Sequence, residues 1–176
     1  TQIQAETLQQ KIQAIAEGDV LGPALVGICA RTGDGRTIAD IGATDLLVPA
    51  SNMKLISTGT ALHALGGDYR YETRLGYDGT IIEGVLMGDL YIIGGGDPTI
   101  ASKDSIAPPV EHTFALWEKA LRENGINEID GKVIGTSGDF FKGMTEEPSW
   151  MWNDIGTYYG AGATGLMFYE NMQSFE

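Results

Sequence analysis

The segment between Pro49 and Gly66 most constrains what this chain can fold into. Surface helices keep apolar residues on one face, whereas this segment carries them on most sides, at Leu55, Ile56, Ala61, Leu62, Ala64 and Leu65. Pro49 disfavours helix for the residue before it, and Gly66-Gly67 suits a left-handed cap. The sequence therefore predicts a buried core helix from about residue 51 to residue 66.

A hydroxyl and an amine lie at the start of this helix. Ser51 and Lys54 are expected on one face, because residues three apart are neighbours on a helix. A serine hydroxyl attacks a carbonyl only when a base removes its proton. Lysine is such a base once burial or nearby positive charge lowers its pKa from about 10.4. The amides of the first turn are expected to help hold an oxyanion.

The same spacing also has an ordinary explanation. Serine is favoured at helix N-termini, and Ser-x-x-Lys arises by chance about once in a chain of this length. His63 is a competing base, but twelve residues of helix place it about 18 Å from Ser51. We expect His63 to be a packed or surface residue, and His112 has no predicted role.

Composition excludes several classes of function. The 176 residues carry a net charge of −13 with only 11 basic residues and no Lys/Arg cluster, so nucleic-acid binding is not expected. No stretch of 18 apolar residues occurs, so no transmembrane segment is predicted. Two separated histidines make no zinc pattern. Cys29, the sole cysteine, is expected to be a small core residue.

Two further clusters have both functional and structural interpretations. The run from Gly94 to Pro98 suggests a phosphate cradle, but Asp97 occupies a place that needs positive charge, which favours a tight structural turn. Trp150, Trp152, Asp154 and the pair Tyr158-Tyr159 would form an aromatic receptor for an ammonium group or an ordinary aromatic core.

The remaining pattern predicts an α/β or α+β fold in which short extended segments predominate from about residue 69. Periodicity and turn residues predict helices over 3–17 and 110–124, a hairpin of strands 24–30 and 36–41, and further extended segments at 71–77, 81–85, 86–93 and 132–136. Residues 102–109 are expected to form a loop. The second half of the chain is therefore predicted to be a separate, β-rich unit.

Several motifs, taken in order, resemble the low-molecular-mass class C penicillin-binding proteins, peptidase family S13. They are Val48 to Lys54, the helix to Leu65-Gly66, Asp68 to Thr73, Gly96-Asp97-Pro98 and Trp152-Asn153-Asp154. The resemblance runs from about residue 20 to the end of the chain. A serine–lysine tetrad of this kind accompanies Ser-Asp-Asn and Lys-Thr-Gly motifs in penicillin-binding proteins.

The resemblance implies a periplasmic or otherwise extracytoplasmic D-Ala-D-Ala carboxypeptidase, its signal peptide removed, that acts on peptidoglycan stem peptides. Action on peptide crosslinks, as an endopeptidase, is a further implication. Ser51 is the implied nucleophile of an acyl-enzyme and Lys54 its proton acceptor, with no metal or cofactor. Asp154, with Trp150 and Trp152, is implied to bind the free amino group of the stem peptide. β-Lactam antibiotics are the implied inhibitors.

The implied architecture is the amino-terminal part of a β-lactamase/transpeptidase-like domain over 1–70, followed by the start of a β-rich inserted domain over 71–176. No Ser-x-Asn follows residue 51, and Lys-Thr-Gly does not occur. We therefore expect this chain to be an amino-terminal part of such an enzyme and inactive alone. The alternatives are a non-catalytic module that binds cell-wall peptides and a β-lactamase.

Overall fold

A computed structural model describes residues 6–138 and 145–173. The chain divides into two compact units, Thr1–Gly67 and Asp68–Glu176. The assignment of these units to a catalytic and an inserted domain stays a prediction. Among the described residues, no helix has the length and apolar character needed to cross a membrane.

From residue 6 onward, the first unit contains two α-helices and a β-hairpin. Gln9 ties the first helix to the second strand, because its side chain donates to the Asp40 carbonyl (2.9 Å) and accepts from the Asp40 amide (2.8 Å). The predicted amphipathic helix and the hairpin are confirmed, with a shorter first strand, whereas residues 3–5 lie outside the described part. The elements are α1 (Leu8–Ala16), β1 (Ile28–Arg31), β2 (Thr37–Ile41) and α2 (Met53–Leu65), which a 3₁₀ turn at Ala50–Asn52 precedes.

Local sequence explains where these elements begin and end. Thr7 and Gln10 form a capping box at the start of α1, in which each side chain bonds the backbone of the other. A hydrogen bond closes the turn between β1 and β2, where the Thr32 amide donates to the Arg36 carbonyl (2.9 Å). Gly66 ends α2 with φ of 82°, a conformation that favours glycine.

Two expectations of burial in this unit are wrong. Cys29 is exposed, because alternate residues of a strand face opposite sides and the inward positions of β1 belong to Ile28 and Ala30. The bounds of α2 are as predicted, yet none of its side chains is buried, and Leu55 is 74% exposed. The apolar pattern of α2 requires a covering surface, and no other described element of the first unit supplies it.

The described residues of the second unit form six short strands and one α-helix. The elements are β3 (Arg74–Tyr77), β4 (Thr80–Ile82), β5 (Val85–Met87), β6 (Leu90–Ile93), α3 (Val110–Glu123), β7 (Glu128–Asp130) and β8 (Val133–Thr136). Antiparallel pairs β3–β6 and β4–β5 are extended by parallel pairs β6–β8 and β5–β7, which gives two three-stranded sheets.

Glycines occupy the short connections between strands of one sheet and strands of the other. Gly79, Gly88 and Gly131 lie between successive strands, and a Cβ atom on each would overlap a backbone carbonyl oxygen of an adjacent chain segment. Next to Gly79, the Asp78 carboxylate accepts hydrogen bonds from the Asp89 amide and from the Tyr91 hydroxyl. Hydrogen bonding to the Asp78 carboxylate, with desolvation, raises the pKa of Tyr91 above its ordinary value.

The core of this unit lies between the sheets and α3. Leu86, Leu90 and Ile126 are buried, and Ile81, Leu121 and Ile129 pack against them. The predicted β-rich unit, the helix near 110–124 and the strand near 132–136 are confirmed. The strand β7 was not expected, because Ile129 is its one apolar residue.

The glycine run before Asp97 has a structural cause. A Cβ atom on Gly94 would overlap the backbone of Gly165, and one on Gly95 would overlap the Glu72 carbonyl oxygen. Asp97 accepts hydrogen bonds from the amide (2.9 Å) and hydroxyl (2.7 Å) of Thr99, which closes a local turn. These contacts explain the residues without a phosphate ligand.

Candidate active site

Ser51 and Lys54 meet at the start of α2. Ser51 lies in the 3₁₀ turn that runs into the helix, and Lys54 lies in the first helical turn. The Lys54 ammonium nitrogen, Nζ, donates a hydrogen bond to Ser51 Oγ at 3.1 Å. The pair also lies at the positive end of the helix dipole, which favours negative charge on an attacked carbonyl oxygen. The arrangement places the Ser51 hydroxyl and the Lys54 amine within direct reach of each other.

Ala50 changes the direction of the chain immediately before Ser51. Its φ is 45°, in the left-handed region, which costs a residue with a Cβ atom about 1–2 kcal/mol. Strain of this kind persists only where the surrounding structure enforces it, and it is frequent at active sites. Sequence reasoning missed this residue, because alanine carries no signal for a left-handed conformation.

The pair is open to solvent within the described residues. Both Ser51 and Lys54 are exposed, as is every other residue of α2. A lysine accepts a proton only as a neutral amine, and removal from water favours that form. The geometry of the pair is therefore present, whereas a dry environment around it is not.

Asp154 and the two tryptophans lie in the second unit. The half-buried Asp154 accepts a hydrogen bond at Oδ2 from the Met151 amide at 3.0 Å, which closes the 3₁₀ turn Trp152–Asp154. Trp150 is half-buried, while Trp152 is 85% exposed. Tyr158 and Tyr159 are also exposed and stand edge to face, with ring centroids 5.2 Å apart. An ordinary aromatic core is therefore the wrong interpretation for Trp152 and the tyrosines.

Comparison with known proteins identifies the family of this chain. Residues 8–176 match the family described as D-Ala-D-Ala carboxypeptidase 3 (S13). The chain belongs to this family. The positions Ser51, Lys54 and Asp154 all fall within the matched residues.

Curated relatives carry the same activity in their names. A D-alanyl-D-alanine carboxypeptidase from Actinomadura sp. (strain R39) is 33% identical over 105 residues, which cover 59% of this chain and 20% of the relative. The D-alanyl-D-alanine carboxypeptidase DacB from Haemophilus influenzae is 28% identical over 144 residues, which cover 81% of this chain and 27% of the relative. The chain thus spans about a fifth to a quarter of the length of these relatives.

A solved structure shares the fold. The crystal structure of penicillin binding protein 4 (dacB) from Haemophilus influenzae aligns with 82% of this chain at a TM-score of 0.66 and 27% identity, and the alignment covers 30% of that protein. A second structure of that protein, complexed with a β-lactam, aligns at a TM-score of 0.51 and 28% identity, covering 63% of this chain and 24% of that one. The mixed α/β (α+β) fold class is therefore confirmed.

The strain at Ala50 is testable by exchange for glycine. In Ala50→Gly, relief of the left-handed strain outweighs the greater entropy of the unfolded chain, so we expect the free energy of unfolding to rise by up to about 1 kcal/mol. The matched control is Ala61→Gly inside α2, which we expect to lower it by about 1 kcal/mol. Urea unfolding measures both. Equal destabilisation by the two changes would contradict the left-handed turn before Ser51.

Proposed function

We propose that this chain carries the nucleophile of a serine D-Ala-D-Ala carboxypeptidase that acts on peptidoglycan stem peptides. The observation that supports this most strongly is the 3.1 Å hydrogen bond between Lys54 Nζ and Ser51 Oγ in a chain of the S13 family. Action on peptide crosslinks, a periplasmic or otherwise extracytoplasmic location, and inhibition by β-lactam antibiotics belong to the same proposal. The reaction uses no metal or cofactor.

In the proposed reaction, Ser51 Oγ attacks the carbonyl carbon between the two D-alanines while Lys54 takes the hydroxyl proton. The resulting oxyanion lies near the positive end of α2. Collapse of the tetrahedral intermediate breaks the peptide bond, and the leaving D-alanine amine receives the proton. Water then hydrolyses the Ser51 ester, which restores the hydroxyl and releases the shortened stem peptide.

This site needs more than the described residues provide. Lys54 and the whole of α2 are exposed, whereas proton acceptance by a lysine is favoured in a dry setting. Ser-x-Asn and Lys-Thr-Gly motifs, which accompany the serine–lysine tetrad in this class of enzyme, do not follow Ser51 here. We therefore propose that this chain alone is inactive and that polypeptide bearing those motifs covers α2 in the competent enzyme.

Asp154 is proposed to recognise the free amino group of the stem peptide, with Trp150 and Trp152 beside it. Exposure of Trp152, at 85%, leaves its ring available for contact with a cation or an apolar group. Since Ser51 and Asp154 belong to different units, this assignment rests on the resemblance and on the carboxylate itself. It does not rest on a distance between the two residues.

Two other functions agree with some of these observations. A module that binds cell-wall peptides without turnover would keep the fold and the aromatic surface. A β-lactamase would keep Ser51 and Lys54. The family match over residues 8–176 favours the carboxypeptidase over both.

Removal of the nucleophile is the first functional test. In the protein extended through a Ser-x-Asn and a Lys-Thr-Gly motif, Ser51→Ala should lower release of D-alanine from a stem-peptide mimic by at least about 10³-fold. Ser57→Ala, on the same helix, is the matched control and should retain activity within a few-fold.

Labelling by a fluorescent penicillin separates the alternatives for the same extended protein. Label with release of D-alanine supports the carboxypeptidase, while label without release would support a binding module. Rapid hydrolysis of the penicillin itself would point to a β-lactamase. If neither label nor D-alanine release is seen, the proposed enzyme is wrong.

The role of Asp154 is tested with paired substrates. Asp154→Asn retains an acceptor for the Met151 amide but removes the charge. We expect it to raise KM about ten-fold or more for a stem peptide with a free ammonium group, with little change in kcat. For the same peptide with that amine acetylated, the unsubstituted protein and Asp154→Asn should have equal KM values. An equal loss on the two substrates would assign Asp154 a structural role.

A further inference from the structure

The second unit contains a cavity of about 620 Å³, within the usual range of small-molecule sites. Residues 156–158 and 160–162 line it, together with Tyr169, Asn171 and Met172. Lys103, Glu146 and Gln173 complete the lining, whereas Asp154, Trp150 and Trp152 are not part of it. The proposed reaction therefore gives this cavity no role.

One wall of the cavity is a left-handed turn. Tyr169, Glu170 and Asn171 have φ values of 49°, 58° and 54°, a conformation that costs non-glycine residues of the order of 1–3 kcal/mol each. Glu170 holds the turn by accepting from the Ser102 hydroxyl at 2.5 Å and the Lys103 amide at 3.2 Å. Asn171 Nδ2 holds it by donating to the Gly162 carbonyl at 2.7 Å. Strain kept in place by such contacts is typical of ligand-binding segments.

Aromatic packing fixes the ring of Tyr169 at this wall. Tyr169 stands edge to face with Phe168 at 4.9 Å, and Phe168 stacks on Phe114 of α3 at 5.9 Å. Tyr158 also lines the cavity and is 76% exposed. Neither phenol hydroxyl makes a hydrogen bond to a described residue. Both phenol hydroxyls are therefore available to a ligand, and the packed ring of Tyr169 has little conformational freedom to lose on binding.

The charges at the cavity balance each other. Lys103 and Glu146 line it, and within the described part of the chain neither side chain forms an ion pair. One cation, one anion and the Gln173 amide give the cavity no net charge, so they favour no ligand with a net charge of either sign. All three side chains can hydrogen-bond hydroxyl and amide groups. An apolar chain would leave these polar groups unpaired, and a phosphate would meet Glu146.

We propose that this cavity binds a saccharide of N-acetylated amino sugars, about two sugar units long. The tyrosine rings cover the apolar faces of the sugars, and the polar side chains bond the hydroxyl and acetamido groups. That the natural source is the glycan strand of the cell wall rests on the proposed function. The site would then hold the strand from which the stem peptides extend.

The test is an NMR chemical-shift titration of this 176-residue chain with N,N′-diacetylchitobiose, up to about 20 mM. We expect saturable shifts at residues 156–162 and 169–173, and at most weak shifts with cellobiose, which lacks the acetamido groups. Tyr158→Ala should weaken binding about five-fold or more. Tyr71→Ala is the matched control, because Tyr71 is also an exposed member of an edge-to-face tyrosine pair but lies off the cavity.

Neutral variants distinguish a saccharide from a zwitterionic peptide. Lys103→Gln and Glu146→Gln should each change affinity for the disaccharide by less than about three-fold. No saturable shift, or equal loss in Tyr158→Ala and Tyr71→Ala, overturns the proposal. The proposal is also overturned if D-alanyl-D-alanine binds more tightly than the disaccharide and if both Lys103→Gln and Glu146→Gln abolish that binding. Because no acylation is measured, failure here leaves the proposed nucleophile untouched, and failure of acylation leaves disaccharide binding untouched.

Discussion

The hydrogen bond from Lys54 to Ser51 depends on how the chain enters α2. Ala50 turns the backbone in a left-handed conformation, Ser51 follows in a single 3₁₀ turn, and Lys54 comes one helical turn later. Residues three apart share one face of a helix, so the local backbone brings the Lys54 side chain within reach of Ser51 Oγ, where the two atoms lie 3.1 Å apart. The pair is thus formed by a short segment, while the conditions for its chemistry depend on what surrounds that segment.

Those conditions concern the surface of α2. Leu55, Ile56 and Leu62 are 74%, 61% and 61% exposed, although burial of each such side chain is worth about 1.5–3 kcal/mol. A helix that is apolar on most sides is stable only when it is covered. The same cover would exclude water from the hydroxyl and the amine. Stability of the helix and activation of the nucleophile therefore have one physical requirement in common, and we propose that further polypeptide meets it.

Sequence reasoning predicted the elements whose signals are local. Periodicity and turn residues were sufficient for α1, the hairpin, α2 and α3, and spacing was sufficient to bring Ser51 and Lys54 together. Burial was harder to predict, because an apolar pattern shows that a partner is needed without showing where it is. The burial of Cys29 was predicted wrongly for a related reason. In a strand of only four residues, the sequence does not decide which alternate residues face inward.

The strained residues had no sequence signal at all. Ala50 and Tyr169 adopt left-handed conformations that their side chains do not favour, and only the surrounding contacts explain them. The cavity beside Tyr169 was missed for the same reason, because Lys103, Glu146 and Tyr158 are far apart in sequence and form no motif. Tertiary contacts, rather than composition, bring these groups to one place.

The central claim is that Ser51 forms the covalent intermediate. Peptide mapping by mass spectrometry, after incubation of the extended protein with benzylpenicillin, tests it most directly. We expect one penicilloyl adduct, on the peptide that contains Ser51 and at the Ser51 side chain. An adduct on Ser57 or on any other residue, or a fully folded protein with no adduct, would contradict the account.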